Sequence, residues 1–82
     1  MSNSSRETRI HNLDVTLWVG KHGIDAVVDE LDDQLRDREF VKVKFHRAAR
    51  AKNDTETLTA QLAERVNASV VETRGHTGVI ER

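Results

Sequence analysis

The chain has 82 residues, 37% apolar and 33% charged, with a net charge of −1, which predicts one small globular domain and excludes a disordered, highly charged tail. The absence of cysteine excludes disulfides and thiolate metal sites. No stretch has the apolar length of a membrane span or of a signal peptide, so we expect a cytoplasmic protein.

The first part of the chain predicts a tail, a strand and a tight turn. Residues 1–12 are polar, and we expect a partly disordered segment with at most a turn of helix at residues 6–12. The domain itself is predicted to span residues 13–82. Its first strand is Val15–Val19, rich in β-branched and aromatic residues. The Gly-Lys-His-Gly turn at residues 20–23 follows, and it is predicted to open a helix.

Two helices and three more strands are predicted after the turn. The apolar residues of the first helix recur at helical spacing: Ile24, Val27, Val28, Leu31 and Leu35. A strand at residues 40–46 and a loop at 47–53 come next. Asp54 or Thr55 is expected to cap a second helix. The apolar stripe of that helix is Leu58, Leu62, Ala63 and Val66. A strand at residues 69–73, a turn at 74–78 and a strand at 79–81 complete the chain.

This order of elements predicts an α/β fold, a single compact domain with a mixed four-stranded sheet. The strand-helix-strand connection makes the first two strands parallel, and the last two form an antiparallel hairpin. Both helices are expected on one face of the sheet, which leaves the other face open. Alternation along the strands places Trp18, Phe40, Lys42, Lys44 and His46 on that open face.

Charge is segregated along the chain. Between Asp25 and Glu39 seven acids oppose two arginines, and between Phe40 and Lys52 five basic residues have no acid among them. An aromatic side chain beside lysines suits base stacking and phosphate contacts. Ordinary solvation of the two blocks is the alternative, and Trp18 could instead pack under the N-terminal segment, since an exposed Trp usually finds cover.

The Gly-x-x-Gly turn at residues 20–23 suits the backbone of an oligonucleotide. Glycine lets two backbones approach closely, and the start of a helix offers unpaired N–H groups beside Lys21 and His22. The glycine-rich motifs that bind mononucleotides and dinucleotides are absent. Alone, such a turn is a weak signal, and a structural strand-to-helix turn is the commoner explanation.

The turn, the acidic helix, residues 39–44 and the closing segment 74–82 together resemble the CRM domain, the YhbY-like family of RNA-binding proteins. The resemblance covers roughly residues 13–82. It implies a fold similar to the C-terminal domain of translation initiation factor three and RNA binding through the Gly-x-x-Gly loop. Free-standing members associate with precursors of the large ribosomal subunit, and plant members assist intron splicing.

The resemblance also implies roles for particular residues. The loop corresponds to residues 20–23, basic strand positions match Lys42 and Lys44, and the terminal arginine matches Arg82. The chain departs from the family at its short N-terminal helix and at three positions. His22 replaces a common Asn, Glu81 replaces an aromatic, and Gly78 replaces an apolar residue and is expected to loosen the hairpin.

The sequence therefore predicts a non-catalytic RNA-binding protein. The resemblance implies that it binds ribosomal RNA during large-subunit assembly, with ribosomal proteins as further partners. No cofactor, metal, membrane or small-molecule substrate is expected. The predicted RNA contacts are Trp18, Gly20, Lys21, His22, Gly23, Lys42, Lys44, Arg47, Arg50 and Arg82.

Two other functions stay open at this point. The acidic helix could bind a basic protein through Asp29, Glu30, Asp32, Asp33 and Asp37. His22 and His46 could cleave RNA by general acid–base catalysis, although no carboxylate is placed to orient either ring. The histidines also lack paired metal-ligand spacing.

Overall fold

The computed structural model describes residues 2–82, with side chains described from Arg6 onward. The elements in chain order are helix α1 (Ser2–His11), strand β1 (Val15–Val19), a 3-10 helix (Ile24–Val27), helix α2 (Val28–Asp37), strand β2 (Phe40–Phe45), helix α3 (Thr55–Arg65), strand β3 (Ser69–Arg74) and strand β4 (Thr77–Glu81). None of the helices in the described part is long and apolar enough to cross a membrane.

The four strands form one mixed sheet in the order β1-β2-β4-β3. Strands β1 and β2 run parallel, and β4 lies antiparallel to both β2 and β3. The α/β fold predicted from the order of elements is confirmed. Because β4 is antiparallel to β2, the β3–β4 turn lies at the same edge of the sheet as the ends of β1 and β2.

Helices α2 and α3 cover one face of the sheet, as predicted from their apolar stripes. Leu31 and Leu35 of α2 and Leu62 of α3 are buried against Val43 and Phe45 of β2. Helix α3 begins after Asp54, whose carboxylate accepts a hydrogen bond of 2.8 Å from the Thr57 N–H. This bond satisfies one of the N–H groups that a helix start leaves unpaired.

The helix expected directly after the Gly-x-x-Gly turn starts differently. Residues Ile24–Val27 form a 3-10 helix, and α-helical geometry begins only at Val28. Gly23 makes no side-chain cap, and Val27 has φ −118° and ψ 6°, outside the α-helical range. Both segments share the same apolar stripe, so the spacing of apolar residues did not separate them.

Helix α3 packs closely on β4 at Gly78. A Cβ atom at this position would collide with the Oγ1 and Cγ2 atoms of Thr59, which is fully buried. Gly78 pairs in register with Val43 on one side and with Thr73 on the other. The expected loosening of the hairpin therefore does not occur, because the side chain of Thr59 fills the space above the glycine.

Helix α1 covers part of the face that was expected to be open. Its Ile10 is buried together with Phe40 and Val79. The guanidinium groups of Arg6 and Arg9 lie 5.1 and 5.4 Å from the centre of the Phe40 ring. Two corrections follow: the N-terminal segment forms a helix from Ser2 to His11 rather than at most one turn, and Phe40 is buried rather than exposed.

Candidate nucleic-acid interface

Three connections meet at one edge of the sheet. They are the turn at residues 20–23 after β1, the loop at 46–53 after β2, and the β3–β4 turn. The His46 N–H donates to the Val19 carbonyl, and the Phe45 N–H donates to the His76 carbonyl, both over 2.8 Å. The basic edge, as we call this region, comprises Lys21, His22, Lys44, His46, Arg47, Arg50, Lys52, Arg74 and His76.

The cations of the basic edge differ from the others in their partners. Among residues 6–82, every ion pair uses one of five arginines that lie elsewhere: Arg6, Arg9, Arg36, Arg65 and Arg82. No described carboxylate forms an ion pair with a cation of the basic edge. Arg50 is engaged differently, because its Nε donates to the Phe45 carbonyl over 3.0 Å and so fixes the loop after β2.

The Gly-x-x-Gly segment is a tight turn closed by its own backbone. The Gly23 N–H donates to the Gly20 carbonyl over 3.0 Å. Gly23 has φ 78°, a left-handed conformation that favours glycine. Lys21 and His22 are exposed at the tip, and neither backbone N–H has an acceptor among the described residues. The tip thus presents two free donors beside a lysine, a combination suited to a phosphate group.

Part of the sheet face beside this turn is open. Trp18 pairs with Lys44, Lys44 with Thr77, and Thr77 with Arg74, so these four residues form one row across the sheet. Trp18 is 53% exposed. The alternative that the N-terminal segment covers Trp18 is therefore wrong. We call these residues the open row.

Two of the predicted contacts lie outside this assembly. Lys42 is half-buried in the next row, between Val15 and Val79, where it borders the part covered by α1. Arg82 lies beyond the other end of β2, separated from the basic edge by that strand at about 3.3 Å per residue. It contacts the Asp32 carboxylate and donates to the Val66 carbonyl over 3.1 Å.

Besides His46, which the sequence placed on the open face, the structure adds three residues that were not among the predicted contacts. Arg74 and His76 come from the β3–β4 hairpin, and Lys52 comes from the loop after β2. With Asp54 and Glu56 they line a groove of about 610 Å³. The sequence did not supply the strand order. In the structure β4 pairs with β2, and this pairing places the start of β4 beside Lys44. Because two acids share the groove, it is less suited to an anion than the turn.

The two carboxyl groups whose pKa is lowered, Asp32 and Asp54, take part in contacts that stabilise the fold. The Arg82 guanidinium lowers the pKa of Asp32, and the Thr57 N–H lowers the pKa of Asp54. Asp32 lies away from the basic edge, whereas Asp54 borders it in the groove beside Lys52, Arg74 and His76. His22 and His46 have no carboxylate partner among the described residues, and no described cluster of three or more His, Cys, Asp or Glu residues could hold a metal ion.

Comparison with known proteins agrees with this architecture. A curated relative from Methanocaldococcus jannaschii, named "Probable RNA-binding protein MJ0652", is 38% identical over 68 residues. The match covers 83% of this chain and 51% of the relative, so the chain spans about half the length of that protein. The solution structure of SAV1595 from Staphylococcus aureus, described as "a putative RNA binding protein", superposes with a TM-score of 0.74.

The structural match is 30% identical in sequence and covers 93% of this chain and 78% of the staphylococcal chain. The family model described as the CRS1 / YhbY (CRM) domain matches residues 4–82, nearly the whole chain. The resemblance found in the turn, the basic strand and the closing hairpin is confirmed. The chain belongs to the CRS1/YhbY family of CRM domains.

Proposed function

We propose that this domain binds RNA through the basic edge and does so without catalysis. The observation that carries the proposal is the gathering of cations without carboxylate partners at one edge, while the ion pairs of residues 6–82 lie elsewhere. A polyanion supplies the missing partners. The family to which the chain belongs, and the printed names of its relatives, support RNA as that polyanion.

The turn acts as the clamp. The free N–H groups of Lys21 and His22 donate to a phosphate, and the Lys21 ammonium adds charge at the same point. Glycine at both ends of the turn lets the RNA backbone come close. A Cβ atom at either glycine would meet open space, but the φ of 78° favours glycine at position 23.

The remaining cations follow the backbone of the RNA beyond the clamp. Lys44 and Arg47 are exposed next to the turn and bind neighbouring phosphates. Arg50 positions the loop that carries Arg47 through its hydrogen bond to the Phe45 carbonyl. Contacts of this kind dominate affinity and depend steeply on salt, so specificity must come from the shape of the RNA or from its unpaired bases.

The RNA is ribosomal RNA in large-subunit precursors, and ribosomal proteins are its neighbours there. This part of the proposal is supported by the resemblance to free-standing family members. The location is cytoplasmic, where those precursors assemble. The acidic side of α2 then faces away from the RNA, since its carboxylates would repel phosphates.

The test is RNA binding by fluorescence anisotropy with labelled ribosomal RNA fragments across a salt series. Wild type is compared with Lys21→Asp/His22→Asp. A control, Arg38→Asp/Asn67→Asp, makes the same change in charge at exposed positions far from the basic edge. Thermal unfolding checks that all three proteins fold. We expect the turn variant to lose binding at least tenfold and the control to stay close to wild type.

Two results would overturn the proposal. If wild type binds no fragment at low salt, the acidic side of α2 becomes the candidate surface, with a basic protein as its partner. If the turn variant binds as tightly as wild type, the turn is only structural. Gel analysis of the same samples in EDTA tests catalysis, and RNA cleavage that disappears in His22→Ala would make the protein a ribonuclease.

A further inference from the structure

Trp18 is exposed on a face of the sheet whose other aromatic residue is covered. Phe40 lies on the same face and is only 5% exposed, because α1 packs on it. Trp18 is 53% exposed and is not part of the cluster that Ile10 of α1 forms with Phe40 and Val79. The helix thus divides this face into a closed half and an open half, and the open half adjoins the turn at residues 20–23.

The open row places cations beside the indole. Lys44 is the direct neighbour of Trp18 on β2, and Arg74 ends the row on β3. The row contains no carboxylate, and neither cation has an ion-pair partner among residues 6–82. Two acids, Glu72 in the next row of β3 and Glu7 of α1, line a cavity together with Arg74, on the strand farthest from Trp18.

We propose that the open row binds an unpaired nucleotide of the bound RNA. The base of this nucleotide stacks on Trp18, and phosphates of the adjoining RNA backbone contact Lys44 and Arg74. This inference rests on RNA binding at the basic edge and names the class of RNA: one in which an unpaired nucleotide adjoins the stretch held by the turn. Bases inside a duplex are already stacked on both faces, so a fully paired RNA offers none to the indole.

The intrinsic fluorescence of Trp18 can report whether a base stacks on it. It is the single tryptophan of the chain, and there is no tyrosine. Intrinsic emission therefore reports Trp18 alone, and a base stacked on the indole quenches it. The probes are an RNA hairpin with one bulged adenosine and the same hairpin fully paired, each carrying a long-wavelength dye so that anisotropy measures total binding in the same sample.

We expect both hairpins to bind, and the bulged hairpin to bind more tightly. Only the bulged hairpin should quench the emission of Trp18. Trp18→Ala should reduce affinity for the bulged hairpin about five- to a hundredfold and leave the paired one unchanged. Trp18→Phe should keep most of the affinity. Val70→Ala is the matched control, because Val70 is the other exposed large apolar residue among residues 6–82, at 39%, and lies in the row of Val41 and Ile80 that faces the helices.

The outcomes separate this inference from the proposed function. If both hairpins bind but Trp18 emission is unchanged and Trp18→Ala binds normally, base stacking is refuted while RNA binding stands. The indole would then be free for a protein partner. If neither hairpin binds at low salt, RNA binding itself is refuted, and the stacking inference with it.

Discussion

The two ends of the sheet use the same kind of side chain in opposite ways. One end is formed by the start of β2 and the end of β4, and the arginines there form ion pairs within the domain. Arg82 pairs with Asp32, Arg6 with Glu81, and Arg9 with Glu39. At the basic edge the cations have no described carboxylate partner. A net charge of −1 conceals this difference, because it adds the paired and the unpaired charges together.

The contrast between paired and unpaired cations has its larger electrostatic consequence at the basic edge. Exposed ion pairs contribute little to stability, so the main effect of pairing these arginines is that each carboxylate offsets the positive charge of its partner. Unpaired cations gathered at one edge repel each other and attract a polyanion. The proposed binding of RNA would relieve that repulsion and release counterions, which would make the interaction dependent on salt.

The largest effect is expected from neutralising the basic edge. The triple variant Lys21→Ala/Lys44→Ala/Arg47→Ala should bind RNA weakly at low salt, and the slope of log K against log salt should fall by about three, about one per lost phosphate contact. Anisotropy titrations at several salt concentrations measure this slope. Thermal stability should hold or rise, since the removed charges repel one another.

The matched control removes three arginines outside that edge, in Arg36→Ala/Arg38→Ala/Arg65→Ala. It changes the net charge equally, and two of its residues belong to ion pairs. We expect its salt slope to match that of wild type. If both triple variants lose affinity to the same extent, binding follows net charge, and the distinction between the two ends has no functional meaning.

The second prediction concerns the scaffold between the two ends. Gly78→Ala should lower the free energy of unfolding by about 3 kcal/mol, because the new methyl group collides with the fully buried Thr59. Denaturant unfolding measures the change. Adding Thr59→Ala should recover part of the loss. Folded Gly78→Ala should bind RNA like wild type, and an unimproved double variant would show that the clash is not the cause.

The third prediction concerns the paired end, where α1 docks. Ile10→Ala should lower the free energy of unfolding by about 2 kcal/mol, because it removes the buried apolar contact of α1 with Phe40 and Val79. Hydrogen exchange should show faster opening of α1 while the α2 and α3 amides stay protected. Unchanged protection of α1 would mean that Arg6 and Arg9, stacked on Phe40, are enough to hold it.

The smallest effect is expected at Arg82. Arg82→Gln should leave the RNA salt slope unchanged and lower Tm slightly at neutral pH. Since Arg82 lowers the pKa of Asp32 from 3.8, the pair stabilises the fold above that pH, and its contribution is lost as the pH falls through the lowered pKa. The Tm difference should therefore shrink in acid. A reduced salt slope would instead show that Arg82 leaves Asp32 to bind RNA.

Much of the fold could be predicted because its signals are local. The boundaries of β1 and the Asp54 cap follow from residue types within a few positions, and the α2 and α3 stripes follow from apolar spacing. Helix α1 was underestimated because it carries one buried apolar residue, Ile10, and otherwise depends on arginines stacked on a ring far along the chain. No spacing of apolar residues signals such packing.

The candidate site could be predicted only in part, for a different reason. Lys21 and His22 follow from the turn directly after β1, and Lys44 follows from the alternation along β2, which one helical connection places parallel to β1. Arg74 and His76 reach the same edge through the strand order β1-β2-β4-β3, which pattern alone does not determine. The same order carries Arg82 away, since the end of β4 lies beside the start of β2.

The hydrogen bonds from His46 to Val19 and from Phe45 to His76 join the three connections of the basic edge through main-chain atoms alone. Main-chain bonds do not depend on which side chains the residues carry. The exposed residues of the turn and loops can therefore be exchanged while their anchor points stay fixed. We therefore expect that exposed residues of the turn and loops can be replaced to change which RNA the domain recognises, while the sheet itself stays unchanged.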